Sequence, residues 1–254
     1  MGGSLASCLE GLLAPPRPTG KLTLKYFPIS GRAEPIRLAL HLGKFQHHDM
    51  RISGSEWVEK HKQNTPFGQL PVLELGGDSG VPRKAISQTK AILRYIGKMV
   101  KYEGHCLYPR APLAAAKVDE VLDAFDDLWI LLAPTYRIKD PNQKAQVRQQ
   151  LFSPGGEAAR MLDIFERMLA ESPNGFVVPE AGFSVADLMY FCFLNSIRSG
   201  FIDGLGPELY NNCSNIMKHK EMVAQLPEIR AYYQTPEQSN PVGVPYYEVF
   251  KPGK

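Results

Sequence analysis

Residues 21–40 are KLTLKYFPISGRAEPIRLAL. LTLKYF alternates apolar and polar side chains, the period-two pattern of a half-buried strand. A turn follows. Ile36, Ala39, Leu40 and Gly43 then share one face of a helix over 33–43, whose first turn accepts Pro35 because backbone N–H groups there lack intrahelical partners. The order is strand, turn, helix, with an aromatic hydroxyl, Tyr26, where the strand ends.

Working outward, FQHHDMRI (45–52) fits a second strand and SGSEWVEKHKQNTPFG (53–68) an irregular stretch. LPVLEL and PRKAIS flank GGDSG as two arms of a hairpin. Ala91, Ile92, Tyr95, Ile96 and Met99 stripe another helix. KYEGHCLYPRAP (101–112) has the composition of a linker, and the remainder is helical: 113–132, one long segment around 143–171, 184–198, and shorter pieces to about 234. The expected division is an extension at 1–20, an α/β unit at 21–100, a linker at 101–112, an all-helical unit at 113–235 and a tail at 236–254.

At 254 residues the chain suits one or two domains. A net charge of +3 is too small to argue for nucleic acid or a membrane surface. Apolar runs fall short of the roughly 20 residues of a membrane span. Cys8, Cys106, Cys192 and Cys213 are scattered, which fits reduced thiols and a cytoplasmic location. Pro15, Pro16 and Pro18 keep the first twenty residues out of regular structure, and a flexible extension is expected. Met1-Gly2 with Cys8 invites a lipidation reading, but Ala6 stands where that motif needs Ser or Thr. One arginine is thin support for a transit peptide. His47 and His48 are expected to be exposed strand residues, not metal ligands.

Four stretches in this order, KLTLKYF-x3-GRAEPIRLAL, PFGQLPVLE, SQTKAILRYIG and FSVADLMYF, resemble the glutathione transferases across 21–235. The likeness is strongest to the tyrosine-type branch, particularly the sigma class. It implies an α/β thioredoxin-like N-terminal domain, an all-α C-terminal domain, a homodimer, and glutathione as co-substrate with no metal required. The implied activity is attack of the glutathione thiolate on small hydrophobic electrophiles. A non-catalytic binding or assembly protein of the same fold is an alternative, as is a glutathione-dependent isomerase or peroxidase.

The resemblance also implies roles for residues. An ordinary thiol, with a pKa of about 8.5, is only a few per cent ionised at neutral pH. One hydrogen bond to a charged group contributes about 1.5–3 kcal/mol, enough to bring that thiol near pH 7. Tyr26 matches the family's donor of that bond. A tyrosine simply packing on the core is the plain alternative. Ser30 is a rival hydroxyl, better placed as a turn or N-cap residue, and Arg32 is a supporting cation. Pro71 matches a cis-proline that presents the Leu70 main chain to the cysteinyl backbone, with Gln69 as a further polar contact. Gln88 and Thr89 would hold the γ-glutamyl carboxylate at a helix N-terminus. Trp57 matches a residue near the glycine end, and His61, between Lys60 and Lys62, stands where the family has a lysine. In the run Asp119, Asp123, Asp126 and Asp127, mostly on one helical face, Asp127 would reach the ligand of the dimer partner. Metal binding by these acids is not expected.

Ser184 and Asp187 have the spacing of a capping box, a folding feature. The electrophile pocket is expected between the domains, near Leu131–Tyr136, with Tyr246, Tyr247 and Phe250 available to close it. Ala133, Pro134 and Thr135 stand where prostaglandin-isomerising relatives have a tryptophan, so that aromatic platform is expected to be missing.

Overall fold

β1 (Leu22–Tyr26) forms where the alternation predicts it, with Leu22, Leu24 and Tyr26 buried. The computed structural model describes residues 17, 18, 20–77, 83–240 and 245–253. After a 3-10 turn at Gly31–Ala33, α1 (Glu34–Leu42) buries Ile36, Ala39 and Leu40 as its stripe requires. β1 then pairs in parallel with β2 (His47–Arg51), the crossover being α1. β3 (Val72–Leu75) pairs antiparallel with β1 and with β4 (Lys84–Ser87), so the sheet order is β2-β1-β3-β4. The hairpin is therefore present; residues 78–82 of its turn, like Met1, Gly2, Ala6 and Cys8, lie outside the described residues. α2 (Thr89–Gly97) completes the α/β unit, burying Ile92, Leu93 and Ile96.

The supposed linker is more structured than its composition suggests. Lys101–Tyr102 (β5) and His105–Cys106 (β6) form a small antiparallel ladder, and Tyr102 packs edge-on against Phe183. Leu107 is fully buried, and its C=O accepts the Val185 N–H at 2.8 Å, tying the connection to the second unit.

That unit is helical throughout: α3 (Pro112–Leu132), α4 (Pro141–Phe152), α5 (Glu157–Glu171), α6 (Val185–Arg198), α7 (Ser214–Gln225) and α8 (Pro227–Gln234). The single helix expected around 143–171 is two. Ser-Pro-Gly-Gly at 153–156 breaks it: proline lacks the donor, and Gly155 has φ +81°, where a side chain is strained. α6 is buried nearly all round and begins with the expected capping box. The plan is thus a thioredoxin-like unit followed by an all-α unit.

Two groups of polar contacts join the units. Glu34 and Arg37, both buried on α1, pair at 3.0 Å, and the Tyr233 hydroxyl on α8 donates to Glu34 Oε1 at 3.0 Å. On α3, Asp119, Asp123 and Asp126 face α2. Arg94 pairs with Asp119 at 2.6 Å, and Lys90 bridges Asp123 and Asp126 at 2.5 and 2.7 Å.

The tail does not close a pocket with Phe250. That ring is buried between Phe191 of α6 and Tyr233, stacked on the latter at 5.1 Å between centroids. The apolar ring is removed from water on the core side of α6. The side chains of Tyr246 and Tyr247 lie outside the described residues.

Candidate active site

The turn after β1 is held from below by Arg37, whose guanidinium donates to the C=O of Ile29 (2.8 Å) and of Ser30 (3.3 Å) and pairs with Asp49. This buried cation satisfies carbonyls that would otherwise lack partners, and so fixes the chain from Tyr26 to Arg32. Tyr26 is 6% exposed, and its hydroxyl oxygen accepts the Arg32 backbone N–H at 3.0 Å. Its own proton remains available to donate. Burial raises the Tyr26 pKa, opposed by the Arg32 N–H bond and by the charges of Arg32 and Arg37. The phenol therefore stays protonated at neutral pH, as a donor must.

Two hollows meet here. One is apolar, about 230 Å³, and lies between the units against Tyr26, Phe27, Ser30, Arg32, Trp129, Met189, Cys192 and Phe193. The other is more polar and more open, and is lined by Trp57, Gly68, Gln69, Leu70, Pro71, Gln88 and Thr89. Phe27, Arg32 and Trp129 belong to both. The Arg32 guanidinium lies 5.0 Å from the Trp129 ring centre and 3.9 Å from Asp126, a cation over an aromatic face at the shared wall.

Most of the residues singled out from the sequence are thus brought together. The Leu70–Pro71 peptide is cis, as expected. Gln88 has φ +73°, uncommon for a residue with a side chain, and its Nε2 donates to Gln69 Oε1 at 3.0 Å. It occupies the N-cap of α2, and its side chain caps no backbone N–H. The first amides of α2 and the positive end of its dipole therefore suit an anion in the polar hollow. Trp57 packs edge-on against Phe27 at 6.2 Å.

Four further placements bear on the site. The Thr89 hydroxyl donates to the Arg32 C=O at 3.0 Å, a different partner from the carboxylate proposed for it. His61 is not among the lining residues. Trp57–His61 is a π-wound turn, so a residue four positions on does not stack over Trp57 as it would on an α-helix. Asp127 is exposed and lines neither hollow, because it is rotated about 100° round α3 from Asp126. Ser30 takes the N-cap position of the 3-10 turn, but its hydroxyl makes no cap bond there; it lies 3.4 Å from the Ser196 hydroxyl across the unit boundary.

The aromatic platform read as missing is supplied from elsewhere. Trp129, one turn before Ala133, and Tyr136 both line the apolar hollow. Met189, Cys192, Phe193 and Ser196 were also missed, although their i, i+3, i+4, i+7 spacing on a buried helix marks one face. Among the described residues, no group of three or more His, Cys, Asp or Glu side chains is arranged to hold a metal ion.

Comparison with known proteins agrees with this geometry. The glutathione S-transferase N-terminal domain pattern matches residues 22–98, and the C-terminal domain pattern matches 127–236. Glutathione S-transferase 1 of Ascaris suum is 30% identical over 218 residues, covering 85% of this chain and 95% of that protein. Hematopoietic prostaglandin D synthase of Gallus gallus is 31% identical over 148 residues, covering 58% of this chain and 67% of that protein. The crystal structure of the glutathione S-transferase from Ascaris lumbricoides superposes with a TM-score of 0.67 at 28% identity, covering 86% of this chain and 97% of that one. With both domain patterns matched in order and that likeness running through nearly the whole of the Ascaris suum protein, the chain belongs to the glutathione S-transferase family.

Proposed function

We propose that Tyr26 donates a hydrogen bond from its hydroxyl to the sulfur of bound glutathione and so holds the sulfur as thiolate. The thiolate then attacks a small hydrophobic electrophile seated in the apolar hollow. The observation that carries this reading is the position of Tyr26 in the wall of that hollow, its oxygen already accepting the Arg32 N–H and its pKa raised by burial. The sulfur forms a bond to an electrophilic carbon while a leaving group departs or π electrons shift to an acceptor. The thiol proton has already passed to water. Glutathione would span the polar hollow: Leu70 main chain on its cysteinyl unit, Gln69, Gln88 and the α2 amides on its γ-glutamyl end, Trp57 near its glycine. Arg32 adds a cation beside the sulfur.

The test is the ultraviolet thiolate absorbance of glutathione bound to the wild-type protein, titrated against pH, together with conjugation to a dinitrophenyl halide. A midpoint near pH 7 with conjugation supports the reading. A midpoint at the ordinary value of about 8.5, or no binding, sinks it.

Trp129 and Tyr136 in the apolar hollow favour a second reading, a glutathione-dependent isomerase that uses the same thiolate, as the name of the relative Hematopoietic prostaglandin D synthase suggests. The non-catalytic alternative gives Tyr26 and its neighbours no purpose. We also assign the chain to the sigma class, in a cytoplasmic detoxifying role, with domains at 21–100 and 113–235. A homodimer is supported by the exposed apolar side chains of Val58, Phe67 and Ile130 near the polar hollow, with Asp127 and His61 left to act across that interface. Sedimentation velocity of the wild type decides the dimer: a single-chain species at micromolar concentration removes it.

A further inference from the structure

Arg148 on α4 is 1% exposed and lines neither hollow, yet it holds two segments that do. Its Nε donates to the Thr135 hydroxyl oxygen at 2.8 Å, and its guanidinium lies 4.7 Å over the Tyr136 ring. The same guanidinium donates to the Asp203 C=O at 3.2 Å, two residues beyond Phe201, and to the Asp203 carboxylate at 3.4 Å. Guanidinium N–H groups only donate, so the sense of these bonds is fixed. Tyr136 and Phe201 both line the apolar hollow and are each 48% exposed, whereas Met189 and Phe193 of its wall are buried. The two half-exposed rings therefore stand at its mouth, one on the turn after α3 and one on the loop after α6. Gly204 is a second tether for that loop. With φ +85°, it lies so close on α4 that a Cβ would be 2.6 Å from the Ala145 Cα. Ala145 and Arg148, three apart, share the face of α4 that meets the loop.

We propose that Arg148 is a positioning residue for the electrophile: it holds the Tyr136 and Phe201 segments together from behind and so fixes the aromatic shape of the mouth. That fixed mouth selects flat aryl groups over flexible alkyl groups. The inference rests on the reading of the two hollows as glutathione and electrophile sites, and not on the Tyr26 hydroxyl. A half-exposed ring on a turn swings among rotamers unless it is held, and ordering it on binding costs affinity. Tyr136 is held, with the guanidinium on its face and the Trp129 ring 6.1 Å away at 37°. A flat substituent then meets rings already in place, in the offset or edge-on contacts that aromatic groups prefer. A flexible chain gains little from that order, because it adapts to whatever wall it meets. One buried cation serves both segments because its planar fork reaches several acceptors at once, which a lysine ammonium does not do.

S-substituted glutathiones test the mouth with no thiol to ionise. Their affinities for the full chain are measured with methyl, benzyl and hexyl substituents, and the gain of each over methyl cancels the glutathione contacts. Arg148→Met is expected to lower the benzyl gain about fivefold, while the hexyl gain and the S-methylglutathione affinity stay within about twofold. Arg148→Lys, which keeps a cation without the fork, should recover little of the loss. Gly204→Ala pushes the loop off α4 with Arg148 in place and should lower the benzyl gain in the same way. With Tyr136→Ala and Phe201→Ala already made, Arg148→Met should remove no further benzyl gain. A benzyl gain that survives Arg148→Met in a folded variant overturns the proposal. Where that variant folds poorly, Gly204→Ala decides, and a benzyl gain it leaves intact has the same force. Equal losses for benzyl and hexyl, or a loss that persists without the two rings, make Arg148 a support for the hollow as a whole and also overturn it. If the wild type does not bind S-methylglutathione, or if neither larger substituent gains over methyl, the reading of the hollows fails first and takes the proposal with it.

Discussion

Tyr26→Phe is expected to raise the ionisation midpoint of bound glutathione by about 1–2 pH units and to lower kcat/KM near neutral pH by about tenfold or more. The ring stays, and with it the packing against Phe27 and the contact with Arg37, so the fold should be retained. What is lost is one hydrogen bond to a charged sulfur. The sign follows from which form the donor favours. A donor stabilises thiolate, so the wild-type midpoint lies below the free thiol's value; without the donor, the thiol stays protonated through the interval between the two midpoints. The rate deficit should be largest in that interval and close as pH rises above both. Part of it is offset, because a less acidic thiol gives a more reactive thiolate, with a Brønsted coefficient of about 0.4–0.5 in exchange reactions. The Arg32 N–H, left without the hydroxyl oxygen it donated to, adds to the cost. Gly31→Ala probes the same geometry from the other side. Its methyl must occupy the space of the Tyr26 hydroxyl, so it should reproduce the midpoint shift with the tyrosine still present. If Tyr26→Phe keeps the wild-type midpoint and rate, the hydroxyl has no part in the chemistry.

Local pattern made much of this legible, and distance in sequence hid the rest. β1 and α1 follow from periods of two and 3.6, and the capping box from two residues three apart, because each depends on neighbours within a turn. The cis peptide at Pro71 came from likeness to a family, not from the proline itself. The break at 153–156 is written locally as Pro-Gly-Gly, between flanks that both carry helical sequence. Other features rest on partners far along the chain. Thr89 reaches Arg32 57 residues away, and Lys90 meets Asp123 over 33 residues. No period records such pairs. Trp129 lies one helical turn before Ala133 and still reaches the apolar hollow, because residues three or four apart share a helix face. Which α3 face meets the hollow is decided by packing against α5 and α6 and by the ion pairs with α2, not by α3's own sequence.

Asp187→Ala is expected to be the most damaging change to stability, with a loss of about 3–5 kcal/mol. Asp187 is fully buried, and both carboxylate oxygens are in use. Oδ2 accepts the Ser184 N–H at 2.9 Å and the Ser184 hydroxyl at 3.0 Å; Oδ1 accepts the Val177 N–H at 2.9 Å and lies 3.0 Å from His219 Nε2. The residue therefore starts α6, ties down the chain before it and reaches α7. Alanine leaves these donors facing a dry core, where each unsatisfied group costs about 1–3 kcal/mol. Asp187→Asn retains one acceptor oxygen and should fall between alanine and wild type. Ser184→Ala, which removes a cap that accepts the Ala186 N–H, should cost about 1 kcal/mol. The order Asp187→Ala, Asp187→Asn, Ser184→Ala, read from urea midpoints at an unchanged slope, is the prediction. If alanine stays within about 1 kcal/mol of wild type, the carboxylate is not what holds α6. The consequence reaches the chemistry, since α6 turns Met189, Cys192, Phe193 and Ser196 into the apolar hollow and Phe191 toward Phe250 and Tyr233. A helix start that loosens should raise KM for the electrophile before it raises KM for glutathione, whose proposed contacts lie on the other unit.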